Sequence, residues 1–540
     1  MLDFDHLDVN LKNTASALPD AVAYTFSGRE VTYAQFDRLV SNVSGALFEI
    51  GLRHGDGLAI ILPNSDAFLL SYHGALRLGL FCAPMNPLYT PNELLFMLKD
   101  SGVKAVVAPA QFVEMAGALN AMLPGLTLIA VGAEKVPPGI LMFEDFIHHE
   151  SIENVSYQPE LSVEDTAVIL YTSGTTGTPK GAMLTHVNLS SNAYTAGEHL
   201  GYSDQDRVVT VLPIFHVFSL TVCLNTSVYK GAQMIILPRF SPLEVLSVIQ
   251  EKQATIFAGV PTMYNFMMQA AGDTPYDLHS LRYCLSGGAA MPGAVMEAFE
   301  QRFNVQILEG YGLSEASPVT AFTPVDGRPR KVGSIGVSVP LVEQKIFDEN
   351  DQEVPVGEVG ELVVRGPNVM KGYLHRPQET AAALRSGWLH TGDLAKMDED
   401  GYFYIVDRKK DMILVGGYNV YPREVEEVLF RMDGIVEVAV IGAPDTEYGE
   451  VVVAVIVRKN DHLSEQAIRE YCKEYLAKYK QPERYVFVEE LPKNMTGKVL
   501  RRELRDRPPW RGYATISRMK MGLSRIQKCG WRGRSKVLGA

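Results

Sequence analysis

The stretch Tyr171-Thr-Ser-Gly-Thr-Thr-Gly-Thr-Pro-Lys-Gly181 decides how this chain is read. It follows the apolar, β-prone run Ala167-Val-Ile-Leu170, so a strand empties into a loop holding three glycines, a series of hydroxyl side chains and one lysine. Glycine lets backbone N–H groups approach an anion closely. Ser and Thr hydroxyls add rotatable donors, and Lys180 adds a full positive charge. The run Thr172, Ser173, Gly174, Thr175, Thr176, Gly177 and Thr178, closed by Lys180, is therefore expected to hold phosphate oxygens. It is not a Walker A loop, which has Gly directly before its Lys and Ser or Thr directly after; here Pro179 precedes Lys180 and Gly181 follows. A flexible Ser/Thr/Gly linker is the alternative, opposed by the strand in front, the rigid Pro179 and the single lysine.

Outward from this loop, short β-prone runs alternate with apolar helical segments: 58–62, 105–108 and 126–131 before it, 233–237, 255–257 and 283–285 after it. Such alternation predicts largely parallel sheets covered by helices, with ligands in loops beyond the C-terminal strand ends. From about Lys331 the texture changes to short strands with Gly/Pro turns, as in 357–366. After Asp407-Arg-Lys-Lys410 a new unit is expected, with helices near 423–431 and 465–479 and strands at 437–442, 451–458 and 484–488. The predicted class is α/β. A large N-terminal domain (1–406) of parallel-rich sheets includes a small β subdomain (about 331–406). A hinge at 407–410 joins it to a small mobile α+β C-terminal domain (411–505), and a tail (506–540) is expected to be disordered. At 540 residues the chain exceeds the usual size of one core.

An apolar content of 46% and a charged content of 21% are ordinary for a globular protein. The net charge of −13 argues against a nucleic-acid partner. Five scattered cysteines (Cys82, Cys223, Cys284, Cys472, Cys529) show no paired spacing, which fits a reducing cytoplasm and neither disulfides nor zinc. The acidic N-terminus has no signal-peptide pattern. Residues 208–229 carry no formal charge, but Pro213, His216, Asn225 and several Ser and Thr make a buried helix beside a pocket a better reading than a membrane span. The tail has nine Lys or Arg against one acid; Ile516, Met519, Leu523 and Ile526 could align as an apolar stripe suited to an anionic lipid surface at the inner face of the membrane. Gly522 weakens that helix.

Further stretches follow in order: Gly287-Gly-Ala-Ala-Met-Pro292, Glu309-Gly-Tyr-Gly-Leu-Ser-Glu315, Trp388-Leu-His-Thr-Gly-Asp393 and Pro492-Lys-Asn-Met-Thr-Gly-Lys498. With the opening loop they resemble the adenylate-forming superfamily of acyl-CoA ligases, luciferases and peptide-synthetase adenylation domains. From about residue 20 to 505 the chain is most similar to fatty-acyl-CoA ligases. Ser386 departs from the aspartate often found before the Gly-Trp pair of that signature.

The resemblance implies ATP, Mg²⁺ and coenzyme A as cofactors and a small-molecule carboxylic acid, a fatty acid, as substrate. Thr172 to Lys180 would wrap the β- and γ-phosphates, with Thr172 and Glu315 holding Mg²⁺. Gly288, Ala289, Glu309, Gly310 and Gly312 would let the adenine lie against backbone, with Tyr311 stacking on it. Asp393 would accept the ribose hydroxyls, and Arg408 would add a contact there. Lys498 would bridge carboxylate and α-phosphate, cancelling the repulsion of two anions. His216 would have a positioning role at the acyl pocket, with Leu220, Asn225, Tyr264 and Gly287 near it. Gly416, Gly417 and Tyr418 would enter after a turn about the hinge and line the pantetheine path. On residue type alone, Glu315 equally suits a helix cap, Asp393 a turn, Lys498 a solvated loop and His216 the core. No acid occurs between Arg207 and Lys230, so a substrate ammonium would lack a buried partner. Alternatives are an aryl-acid ligase, an enzyme that stops at acyl-AMP, and a nucleotide- or acyl-binding regulator without catalysis; a homodimer is compatible with any of them.

Overall fold

The computed structural model describes residues 4–112, 122–154, 157, 159–172, 179–459, 463–493 and 499–506. The chain divides into two compact units, one ending at Lys410 and one beginning at Asp411.

The first unit contains two large sheets. In one, Thr166–Thr172, Phe81–Pro84, Gly57–Ile60, Ala105–Pro109, Thr127–Val131 and Ile140–Met142 run parallel in that spatial order. In the other, the parallel order is Ile307–Gly312, Tyr283–Ser286, Ile256–Gly259, Arg207–Thr210, Gln233–Ile236 and Val22–Phe26. Antiparallel strands close three of the four edges, including the N-terminal hairpin partner Arg29–Thr32. Successive residues of a strand enter different cores: Leu58 and Ile60 join one apolar cluster, Ala59 and Ile61 another. That is the signature of strands covered on both faces. Helix Asp66–Arg77 is buried from Ala67 to Arg77, and its N-cap Ser65 accepts the N–H of Phe68.

The N-terminal helix Leu7–Ala17 is tied down by polar contacts. Arg77 Nε donates to Asp8 Oδ1 at 2.7 Å, and its guanidinium also reaches Asp37 and Ser41. The rings of His6 and His186 stack with centroids 3.3 Å apart.

The small antiparallel sheet has the order Glu343–Phe347, Gly360–Arg365, Leu389–Met397, Phe403–Arg408. In the second unit, Ile435–Asp445 pairs antiparallel with Gly449–Arg458, which pairs parallel with Arg484–Phe487. Helices Pro422–Phe430 and Glu465–Tyr475 contribute apolar residues to the same cluster as these strands.

Strand Thr166–Thr172 precedes residues 173–178 as expected, and Lys180–Thr185 pairs antiparallel with it, Thr172 facing Lys180. Two expectations need correction. The uncharged run 208–229 is not one helix. It starts within the central strand Arg207–Thr210 and becomes helical only as a wide π-type turn, Ser219–Asn225, continued by Thr226–Lys230. The helix expected over 465–479 stops at Tyr475 because Leu476 turns extended and is buried. Among the described residues, no helix is long and apolar enough to cross a membrane. The basic tail beyond residue 506 lies outside the described residues.

Candidate active site

The hairpin mouth and a third strand build one end of the site. Register pairing puts Thr172 opposite Lys180, so their side chains leave the same face of the sheet. Tyr171 points the other way: its hydroxyl donates to Asp100 Oδ2 at 3.0 Å, so it does not join the hydroxyl set of the loop. The two-residue strand Gly372–Tyr373 extends this edge, with Tyr373 opposite Ala182. The Tyr373 hydroxyl donates to Glu315 Oε1 at 2.8 Å, and Lys180 Nζ lies 5.4 Å from the centre of the Tyr373 ring. Burial and the nearby Glu315 push the Tyr373 phenol up, so it remains a protonated donor at neutral pH. Lys180, Tyr373 and Glu315 are thus brought together.

The other end joins the nine-stranded and the small sheet. Tyr311, on strand Ile307–Gly312, donates its hydroxyl to Asp393 Oδ2 at 2.5 Å. Burial, then Asp393, raises the Tyr311 phenol well above its ordinary value. Arg408, the register partner of Asp393, places Nε 3.5 Å from Oδ1. The turn before Asp393 is held too: Thr391 Oγ1 accepts the Asp393 N–H at 3.1 Å, and Glu361 Oε1 accepts that of Gly392 at 3.1 Å. One segment, Glu309 to Glu315, therefore serves both ends.

The glycines of that segment are required by packing. A Cβ at Gly310 would lie 2.3 Å from the Phe322 ring, and one at Gly312 would lie 2.2 Å from the Pro318 carbonyl oxygen. They allow strand packing; the space a side chain would need is already filled. Gly288 has a φ of +78° and nothing nearer a Cβ than Val260 at 3.8 Å. Buried Glu309 accepts the N–H of Met291, tying the loop that carries Gly288 and Ala289 to this strand. His216 is half-buried, and its Nδ1 accepts the N–H of Phe218 at 3.3 Å, which leaves the proton of the neutral ring on Nε2. Leu220 and Asn225 are buried on the turn that follows. Tyr264 is a correction: it is enclosed between Phe257 and Phe299, with its hydroxyl on the Leu285 carbonyl at 2.6 Å, and belongs to the core. Gly416, Gly417 and the exposed Tyr418 belong to the second unit. Ser173, Gly174, Thr175, Thr176, Gly177, Thr178 and Lys498 lie outside the described residues.

Tyr373 and Glu361 were missed by sequence reasoning. Glu361 sits in a strand buried from Gly360 to Val364, and no motif marks it. For Tyr373 the available signal was the preceding Gly372, at φ +148°, where a Cβ would meet Thr380 at 2.7 Å.

The donor set fits a magnesium ion. Among the described residues no cluster of three or more His, Cys, Asp or Glu could hold a metal unaided. Mg²⁺ keeps several waters and binds through one or two carboxylates plus phosphate oxygens; Glu315 offers one such carboxylate, and waters and ATP phosphates would complete the shell.

Residues 11–374 match the model of the AMP-binding enzyme family, and residues 424–498 that of the AMP-binding enzyme C-terminal domain. The chain belongs to this family, and so to the adenylate-forming enzymes of the acid–thiol ligase class, which use ATP, Mg²⁺ and coenzyme A. It is 38% identical over 522 residues to a long-chain-fatty-acid–CoA ligase of Bacillus subtilis, covering 92% of this chain and 93% of that one. Among solved structures, ATP-bound MatB from Rhodopseudomonas palustris superimposes with a TM-score of 0.85 at 33% identity, covering 93% of this chain and 99% of that one. The anthranilate CoA ligase AuaEII with anthranoyl-AMP gives 0.87 at 29% identity, covering 96% and 99%.

Proposed function

We propose that the protein activates a fatty acid as its coenzyme A thioester. The carboxylate attacks the α-phosphorus of ATP, the bond to the bridging oxygen breaks, and pyrophosphate leaves with acyl-AMP retained. The thiol of coenzyme A then loses its proton to solvent and attacks the acyl carbon, and AMP leaves. Splitting the reaction makes each displacement easier.

In this reading the nucleoside end is held at Asp393, Arg408 and Tyr311, with Gly288 and Ala289 beside the base. Lys180 and the Thr172–Thr178 loop stabilise charge on the departing pyrophosphate. Glu315, with Thr172, would hold Mg²⁺, whose charge would offset that of the phosphates. His216 positions the acyl carboxylate. Lys498 lies between the two reacting anions in the first step. A turn about 407–410 then exchanges it for the loop of Gly416, Gly417 and Tyr418, so that one mobile domain serves both steps.

The observation that carries the fatty-acid assignment is the absence of charge in the segment beyond His216. Val217 to Val228 is buried throughout and carries no charge, so it gives a substrate ammonium no carboxylate, which favours a plain carboxylic acid. The Bacillus subtilis relative, by its name, acts on a long-chain fatty acid. The likeness to an anthranilate CoA ligase favours an aryl acid as the second reading.

AMP release with a panel of straight-chain acids of graded length, plus benzoate and cinnamate types, decides between them. A rise with chain length is expected; turnover confined to aryl acids would replace the first reading by the second. Lys498→Ala should slow acid-dependent pyrophosphate–ATP exchange by about a thousandfold and leave thioester formation from supplied acyl-AMP nearly intact. Equal loss in both steps would remove the two-position domain.

A further inference from the structure

We propose that Tyr373 is a positioning residue for adenylation, fixing the carboxylate of Glu315 and the ammonium of Lys180 at a set separation for magnesium–ATP. This rests on the roles proposed above for Glu315 and Lys180.

The hydroxyl and the ring of Tyr373 do different things. The hydroxyl donates to Glu315 Oε1 at 2.8 Å, consuming one acceptor position of a carboxylate that has about four. That bond fixes the carboxylate's rotation, so the remaining lone pairs have one direction in which to meet a cation. A carboxylate free to rotate would lose that freedom only on metal binding, at a cost in affinity. The ring lies 5.4 Å from Lys180 Nζ, within range of a cation–π attraction, and restrains the ammonium from the side.

The backbone around Tyr373 makes the arrangement rigid. The Met370 N–H donates to the Glu315 carbonyl at 2.8 Å, Lys371 N–H to Met183 at 2.9 Å, and Leu374 N–H to Gly181 at 2.8 Å. The Tyr373 N–H is held by Thr380 Oγ1 at 2.9 Å. Residues 370–374 therefore strap the hairpin strand that begins with Lys180 to the turn that carries Glu315. Tyr373 is the side chain of this strap that contacts both charges.

Tyr373→Phe removes the hydroxyl and keeps the ring; Tyr373→Leu removes both. Two measurements read the effect. The first is the Mg²⁺ dependence of acid-dependent pyrophosphate–ATP exchange. The second is Mn²⁺ binding to the protein with α,β-methylene-ATP, followed by electron paramagnetic resonance. Tyr373→Phe should raise the Mg²⁺ half-saturation and the Mn²⁺ dissociation constant each about tenfold, with kcat at saturating Mg²⁺ within about twofold. Tyr373→Leu should raise the KM for ATP about threefold beyond the Phe variant. Unchanged metal dependence in Tyr373→Phe, or a fall in kcat with metal dependence intact, overturns the proposal, and that variant decides alone if the Leu variant fails to fold. A wild-type protein inactive with every acid but binding Mn²⁺ with the nucleotide analogue would sink the proposed reaction while still scoring Tyr373.

Discussion

Asp8 and Arg77 meet at 2.7 Å with side chains 1% and 2% exposed; Asp393 and Arg408 meet at 3.5 Å with side chains 14% and 39% exposed. In the first pair Arg77 also donates to the Asp37 carbonyl and carboxylate and to Ser41, and Asp8 also pairs with Lys12. Burial alone would raise the Asp8 carboxyl, but Arg77 and Lys12 outweigh it and hold it below its ordinary range. In the second pair the guanidinium stays half in solvent and the carboxylate keeps acceptor capacity. The same two residue types, saturated and sealed, fasten a helix; left partly exposed and less saturated, they keep the capacity that the proposed ribose contact requires. A charge pair is read as structural or functional from what remains unmade around it.

Acid should separate the two kinds of cluster most strongly. Beside Asp8, His6 is lowered to about 4 by burial, against Asp8 and Asp165, which raise it, and with Lys12 and His54, which lower it further. His73 falls to about 3 for the same leading reason. Both are neutral in the folded chain, while an unfolded histidine takes a proton near 6.5. Below about pH 6.5 the unfolded chain therefore binds more protons, and stability falls with pH until the folded rings also protonate. The loss from His6 alone should be on the order of 3 kcal/mol by pH 4, read from urea unfolding across that range. A flat profile would mean that the rings are already hydrated.

Asp8→Ala should cost about 3 kcal/mol, because it leaves Arg77 short of a buried partner, while the folded fraction keeps its specific activity. Asp393→Ala should do the reverse. The KM for ATP should rise roughly thirtyfold, about 2 kcal/mol, with unfolding shifted by less than about 1 kcal/mol. If Asp393→Ala melts the protein and spares ATP use, the comparison fails at its functional end.

Much of the architecture was legible because the signals are local. The β-prone runs near 58, 105, 127, 233, 256 and 283 all became strands, since buried parallel strands are written as short continuous apolar runs. What escaped depends on register and packing. That Thr166–Thr172 and Lys180–Thr185 pair antiparallel, that Tyr171 turns away to Asp100, and that Gly310 and Gly312 yield to Phe322 and Pro318 are facts of this kind. Hydrophobic periodicity encodes none of them. The site shows the same division. Lys180, Glu315, Tyr311, Asp393 and Arg408 could be named from their motifs. Tyr373 could not, because a two-residue strand carries no periodicity and its meaning comes from the hairpin it happens to flank.

One covalent feature has a metric consequence. Tyr311 reaches Asp393 at one end of the candidate site and Glu315 reaches Tyr373 at the other, and only a few peptide units separate them. That length is a ruler made of bonds rather than of packing. Loosening the cores should shorten the lifetime of the protein without changing the size of nucleotide it gauges. Inserting a single residue between Tyr311 and Glu315 would lengthen the gauge by about 3.3 Å, enough to put its two marks out of step with any one ligand.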